Sequence, residues 1–364
     1  MLLGISLAFL EKVPREYFCS YDDKEGLQVC KPAEFCNNPN VTGFEPNMQL
    51  EDSYDNWVMR FDLHCASPSK IGMIGSAFFA GWVFTLAIIP RISDLYGRQK
   101  IMMTGTIFDF LALTMILKTK SYTVLLVSMF VIGMMSTERI TVGVNYMYES
   151  MPRKNYTLFY TLIAMGEGLC GLIATCYFMF ISKTSFWILF LSFYMMGVAA
   201  VCTFLYPESP RYLIKTGQID HAYEVFDGIA KTNGYDPIGR QEFETLFGRE
   251  KLHPEDYADS DAKEERVALM ADQERSDLVD GKGQTEARDL RFSVMHYLSK
   301  HRILVNLMAL IVIWVAASFN FYMCNTQIKY IPGNFQINML VMSTTDVFAA
   351  FIAGQVSNVY PVKV

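Results

Sequence analysis

Over long stretches this 364-residue chain carries almost no charge. Charged residues make up 19% of it and hydrophobic ones 52%, a balance more apolar than that of a soluble domain. The opening "MLLGISLAFL" has no basic segment before it and no small-residue cleavage site after it. A secretory leader therefore does not fit, and residues 1–10 read as the tail of a membrane span. Glycine loops that cradle nucleotides, metal-ligand clusters and nucleophile–base sets are all missing as patterns. The net charge of −6 argues against nucleic acid. Nothing here points to an enzyme, a cofactor or a metal.

What is there is a series of apolar windows, each long enough to cross ~30 Å of hydrocarbon. They are Ile71–Pro90, Ile101–Leu117, Tyr122–Tyr146, Tyr156–Ile181, Ser185–Tyr206, Ile303–Cys324 and Phe335–Val359. The expected fold is an all-α polytopic membrane protein, integral and multi-pass, with the lipid bilayer as its first partner. Flanking bases set its orientation. Arg91, Arg98 and Lys100 flank one acid, Arg153 and Lys154 follow the fourth span, and Arg211 and Lys215 follow the sixth. Residues 11–68 instead hold eleven acids and five bases. That loop is expected on the extracytoplasmic side of a plasma membrane or endomembrane. Lys118, Lys120 and Lys183 run against the bias without reversing it.

The outer loop carries Cys19, Cys30, Cys36 and Cys65, and the glycosylation acceptor Asn40-Val41-Thr42. Two disulfides are expected, in any of three pairings. Four separate thiols or a zinc site are the alternatives, though the short CxxC units of a zinc ribbon are lacking. Cys170, Cys176, Cys202 and Cys324 fall inside spans and read as apolar packing residues. On the cytoplasmic side, residues 207–301 begin with helical periodicity (Leu213, Ile219, Ala222, Val225, Phe226, Ile229) and turn strongly acidic over 255–283. The acidic part reads as a solvated linker.

"SDLYGRQK", leaving the second span, resembles the Gly-x-x-x-Asp-x-x-Gly-Arg-x-basic loop of the major facilitator superfamily. "PESPRYLIKTG" resembles its marker after the sixth span, and "YESMPRKN" its turn after the fourth. The cysteine-bearing outer loop and "FYMCNTQIKYIPGNFQINMLVMSTTDVFAAF" resemble the organic cation/anion transporter branch, including Gly333, Asn334, Asn338 and Asp346. The resemblance implies two six-helix halves around a midplane site. It also implies a cytoplasmic latch. Asp94 would accept N–H groups at a helix start in the opposite half, and Gly97 would permit close approach. Arg98 and Lys100 would hold Glu149 and Glu208, with Arg211 beside them.

Two departures accompany the likeness. Pro90 stands where the family has glycine, and the exit of the eighth span shows Pro361 and only Lys363. Residues 71–206 would form the first bundle from span two onward, and 302–364 the first two helices of the second. A truncation at both ends is therefore expected. The reading is a secondary transporter of small organic ions, not transport-competent alone, with a protein partner over the incomplete second half. A transport-inactive structural or regulatory subunit, or a sugar-porter-like transporter, are the alternatives.

Inside the membrane the ionisable residues are Asp109, Glu138, Arg139, Glu167 and Asp346. Such groups are costly in lipid and each is a candidate. Glu138 and Arg139 are adjacent and point to different sides of their helix. Arg139 is expected to pair with Glu167, as a structural pair or part of a substrate or proton site. Asp109 is expected to be shallow or packed. Trp314, Phe319, Phe321 and Tyr322 form a stripe on the seventh span. It reads either as packing or, as the resemblance implies, as a cavity face that stacks on organic cations.

Overall fold

The computed structural model describes residues 2–22, 24–36, 38–236, 238–247 and 301–359. The acidic stretch 255–283 and the exit residues Pro361 and Lys363 lie outside them. The chain divides into two units, Met1–Tyr235 with Asn325–Val364, and Asp236–Cys324.

In the first unit α1 (Leu2–Leu10) ends at the outer loop, whose three strands are β1 (Tyr17–Tyr21), β2 (Lys24–Cys30) and β3 (Val41–Pro46). They form an antiparallel sheet in the order β2-β1-β3. The membrane part is helical as expected; the sheet is an addition that the loop's polar sequence did not announce. Disulfides join Cys19 to Cys30 and Cys36 to Cys65, which resolves the three pairings. Asn40 is exposed.

The long helices follow as α2 (Pro68–Leu86), a short α3 (Ile89–Tyr96), α4 (Arg98–Lys118), α5 (Tyr122–Glu149), α6 (Tyr156–Ile181) and α7 (Phe186–Leu205). After α7 come α8 (Pro210–Lys215) and α9 (Ile219–Thr232). Ser67 starts α2 by accepting the Lys70 N–H at 3.3 Å, with Pro68 in the first turn. Among the described residues seven helices are long and apolar enough to cross a membrane. The second unit holds α10 (Arg240–Phe247) and most of α11 (His301–Gln327). The last long helix, α12 (Phe335–Val359), belongs to the first unit.

Two helix pairs are drawn together by small residues. Gly81 of α2 lies on the Phe130 and Met134 backbone of α5, and Gly133 of α5 lies on Phe78 of α2. On α6, Gly168 meets Val347 and Gly171 meets Ser343 of α12, while Gly354 of α12 meets Thr161 of α6. Close approach of this kind supplies dispersion contacts where lipid leaves no hydrophobic drive between helices. α12 lies along α6, because both carry glycines on the facing side, while Val341, Phe348 and Ile352 stay exposed.

The outer loop is anchored rather than loose. Asn56 donates to the Phe9 and Lys12 carbonyls at 2.7 and 2.8 Å, satisfying the end of α1, and Arg60 donates to Leu117 at the end of α4. Asp55 exchanges backbone hydrogen bonds with Lys183 and Ser185, and Lys183 donates to Met48 and Leu50. Lys183 ran against the charge bias because it serves this loop. Below, Trp57, Leu63, Ile74, Ile116, Leu125 and Met129 share one buried cluster.

Candidate functional site

Gly97 closes α3 and opens α4 with φ 107° and ψ 151°, a conformation left almost entirely to glycine. A Cβ there would run into the Glu208 carboxylate. Glu208 Oε1 accepts the backbone N–H groups of Arg98 at 2.8 Å, Gln99 at 3.1 Å and Ser209 at 2.9 Å. A carboxylate thus sits on the positive end of α4. Ser209 caps α8, accepting the Tyr212 N–H at 3.3 Å, with Pro210 in the first turn; the "ESPR" order has this mechanical sense. Arg98 reaches Glu149 at 3.0 Å and pairs with Asp94. Ser209 donates to Glu149, Tyr212 to Leu95 at 3.0 Å, and Tyr146 to Pro207 at 2.8 Å.

Arg98, Asp94, Glu149 and Glu208 are therefore brought together. Glu208 takes the N–H groups at the start of α4, since the glycine turn points them at residue 208; Asp94 is exposed and holds Arg98. Lys100 and Arg211 are exposed, and neither forms an ion pair among the described residues.

Deeper in the membrane, Arg139 pairs with Asp109, which has no exposed surface. Glu167 was the expected partner. The three-residue connection between α4 and α5 makes these helices antiparallel neighbours, and this puts Asp109 in reach instead. Asp109 is fully buried, which is the packed alternative of the two expected for it. Arg139 also donates to Ser136 at 2.9 Å. Glu138 is buried at the head of a π-helical turn, Glu138–Val142, against Gly105. Glu167 on α6 and Asp346 on α12 are half-buried and within electrostatic reach of one another, across the contact made by Gly168. Trp314, Phe319 and Tyr322 lie on α11 in the second unit, where Phe321 and Tyr322 meet edge to face at 5.2 Å.

A third cluster was absent from the sequence reading. Glu11, just past α1, pairs at 2.6 Å with Lys329 in the connection between α11 and α12, and both side chains are buried. Lys12 donates to the Lys329 carbonyl at 3.3 Å and stands 4.2 Å over the Phe335 ring. Arg15 pairs with Asp52 at 2.9 Å. Gln336 donates to Glu51 at 2.8 Å and Tyr54 at 3.1 Å. Beneath them Phe9 stacks on Phe178 and meets Tyr54 and Phe335 edge on. Burial lowers Lys12 to about 8, against the pull of Asp52, and raises Glu11, partly offset by Lys329. Glu11 and Lys329 lie 318 residues apart, so no local motif could have announced the pair.

A glycine turn held by Glu208 on one side, charged residues between membrane helices and a polar cluster on the other side are set in a multi-pass helical membrane protein. The family model of the Major Facilitator Superfamily matches residues 44–363, and the chain belongs to that superfamily. It is an integral, multi-pass membrane protein. It is 26% identical over 283 residues to organic cation/carnitine transporter 2 of Rattus norvegicus, covering 64% of this chain and 48% of that protein. It is 26% identical over 172 residues to the niacin transporter NiaP of Acinetobacter baylyi, covering 46% and 39%. A D-xylose transporter of Levilactobacillus brevis is 26% identical over 163 residues, covering 44% and 36%. The chain thus spans less than half the length of these curated relatives.

Proposed function

We propose that the protein is a secondary transporter of a small organic cation, working by alternating access. The observation that carries this reading is the outer closure. The α11–α12 connection meets α1 and the outer loop through ion pairs and amide hydrogen bonds around Glu11, Lys329 and Gln336. Alternating access needs one face sealed by contacts that can open again, and exchangeable polar contacts suit that task. The latch at Arg98, Glu149 and Glu208, by contrast, joins elements of one half and fits a part that moves as a body. The likeness to organic cation/carnitine transporters covers more of the chain than that to the niacin and xylose carriers. Glu167 and Asp346 would supply negative charge toward a cation.

Uptake of labelled carnitine, niacin and D-xylose into vesicles containing the full-length protein tests the proposal. Saturable carnitine uptake, competed by other organic cations and not by xylose, is expected. Uptake of xylose alone would favour the sugar-porter reading. No saturable uptake of any of the three by correctly inserted protein would sink the transport reading.

A further inference from the structure

Lys12, just past α1, is a cation whose side chain is only 4% exposed. Its ammonium stands 4.2 Å from the centre of the Phe335 ring, 3.8 Å from the Asp52 carboxylate and 3.3 Å from the Lys329 carbonyl. The stronger partners are already engaged. Arg15 takes Asp52 at the shorter distance of 2.9 Å, and Lys329 takes Glu11 at 2.6 Å. What is left to Lys12 is above all the ring, which Phe9 and Tyr54 meet edge to face at 4.9 and 6.2 Å. A cation over an aromatic face shielded from water is held by the ring quadrupole.

This seat lies on a parting line. Lys12, Asp52 and Tyr54 belong to the end of α1 and the outer loop, whereas Phe335 opens α12 and Lys329 lies in the connection before it. Its rim is open to water, since the Arg15 side chain is 54% exposed and Gly333 and Asn334 are exposed. Parting the two sides bares the ring toward the outer face. The charges here are three cations, Lys12, Arg15 and Lys329, and three acids, Glu11, Glu51 and Asp52. When Lys12 swings away, one negative charge is left in excess. A ring face and a nearby carboxylate suit a quaternary ammonium, which carries charge and apolar surface but no N–H group. The seat shares no residue with the aromatic stripe of α11.

We propose that the face of Phe335, with Asp52 beside it, is an outer entry site for a quaternary ammonium, and that Lys12 is its tethered occupant. Cargo and Lys12 exclude one another there. The inference rests on the transport reading above and gives it an order of events. The cargo takes the ring while the outer face is open, and Lys12 reclaims the ring as that face closes, so the ammonium is displaced inward.

Acylation of Lys12 by a membrane-impermeant amine reagent, read by mass spectrometry on the full-length protein, tests this without requiring transport. Choline should raise the rate at Lys12, because it holds the ring and leaves the amine in water. Its uncharged carbon isostere, 3,3-dimethyl-1-butanol, should not. Phe335→Leu should raise the choline concentration for half the effect by roughly 2- to 30-fold, and Phe335→Tyr should leave it within about twofold. Lys183, held by the Met48 and Leu50 carbonyls in contact with the same loop, should not respond. A Lys12 rate that choline does not raise, or that the isostere raises as much, overturns the proposal. So does an equal rise at Lys183, or a choline response that Phe335→Leu leaves unchanged. If Phe335→Leu does not fold, choline against its isostere on the wild type decides. A choline response in a protein that takes up no carnitine, niacin or xylose keeps the entry site and sinks the transport reading. Saturable carnitine uptake without that response does the reverse.

Discussion

The two polar clusters at opposite ends of the helices are built differently. On the cytoplasmic side Arg98, Glu149, Glu208 and Ser209 come from elements of one half, and Glu208 Oε1 alone accepts three backbone N–H groups. On the outer side Glu11 and Lys329, 318 residues apart in sequence, form one buried pair whose neighbours are partly exposed amides and carboxylates. The first cluster fixes backbone geometry and so holds a shape. Side chains that can separate intact hold the second, so it can open.

Between the two lies the pair whose loss should be largest. Removing Arg139 leaves Asp109 charged, buried and alone, at a cost of about 3–5 kcal/mol. Arg139→Gln should therefore lower the folded yield severely in detergent thermal melts, and Asp109→Asn should do so too. The double variant should recover most of the loss, and Glu167→Gln should leave Arg139→Gln unaffected. Rescue by Glu167→Gln instead would return Arg139 to its sequence-expected partner and break the seam described here.

Next in size comes the outer pair. Glu11→Gln leaves Lys329 buried beside a neutral amide, a loss of about 2–3 kcal/mol, or roughly 30- to 150-fold in local opening. Hydrogen exchange of the amides in 328–336 should quicken by that factor, and the exchanged pair Glu11→Lys with Lys329→Glu should slow it again. The amides around 97–99 should not respond. If they quicken equally, the two clusters unfold together and the contrast between them fails.

Gly97→Ala comes third. The residue holds a conformation open in practice to glycine alone, and the added Cβ meets Glu208. About 1–3 kcal/mol is expected from the backbone. Removing the Glu208 side chain as well, in Gly97→Ala with Glu208→Ala, should relieve the collision but not the backbone cost. Protection of the 97–99 amides should fall in both variants, while the 328–336 amides keep theirs.

Which parts were legible in the sequence follows from how local their causes are. The spans were legible because lipid demands unbroken apolar length, and "SDLYGRQK" and "PESPR" were legible because a turn and a cap write themselves within a few residues. Membership of the superfamily and likeness to organic cation transporters stand as expected. Glu167 was the expected partner of Arg139 because spans four and five are neighbours in the resembled fold; the short connection after Lys118 was the signal for Asp109. The disulfide pairing, the three-stranded sheet and the Glu11–Lys329 pair depend on where distant backbone segments come to rest. Residue types alone do not encode that.

The smallest effect is one of pH, and it sharpens the outer cluster further. Lys12, just past α1, faces Asp52, Arg15, Lys329 and the Phe335 ring. Burial brings it from the ordinary 10.5 down to about 8. Closing the outer face therefore releases the Lys12 proton between about 8 and 10.5. In that window the open state binds more protons, so closure strengthens as pH rises and is weakest, and constant, below about 8. Glu11 acts in the opposite sense. Burial lifts it above 4.5, so closure takes up a proton and weakens as pH rises through its raised value. Exchange of the 328–336 amides, corrected for intrinsic rate, should slow as pH climbs from about 8 to about 10. Lys12→Met removes the titrating group while keeping an apolar stem against Phe335, and its profile over the same interval should be flat. A wild-type profile that is also flat would mean that Lys12 is solvated in both states and that the outer closure is looser than its contacts imply.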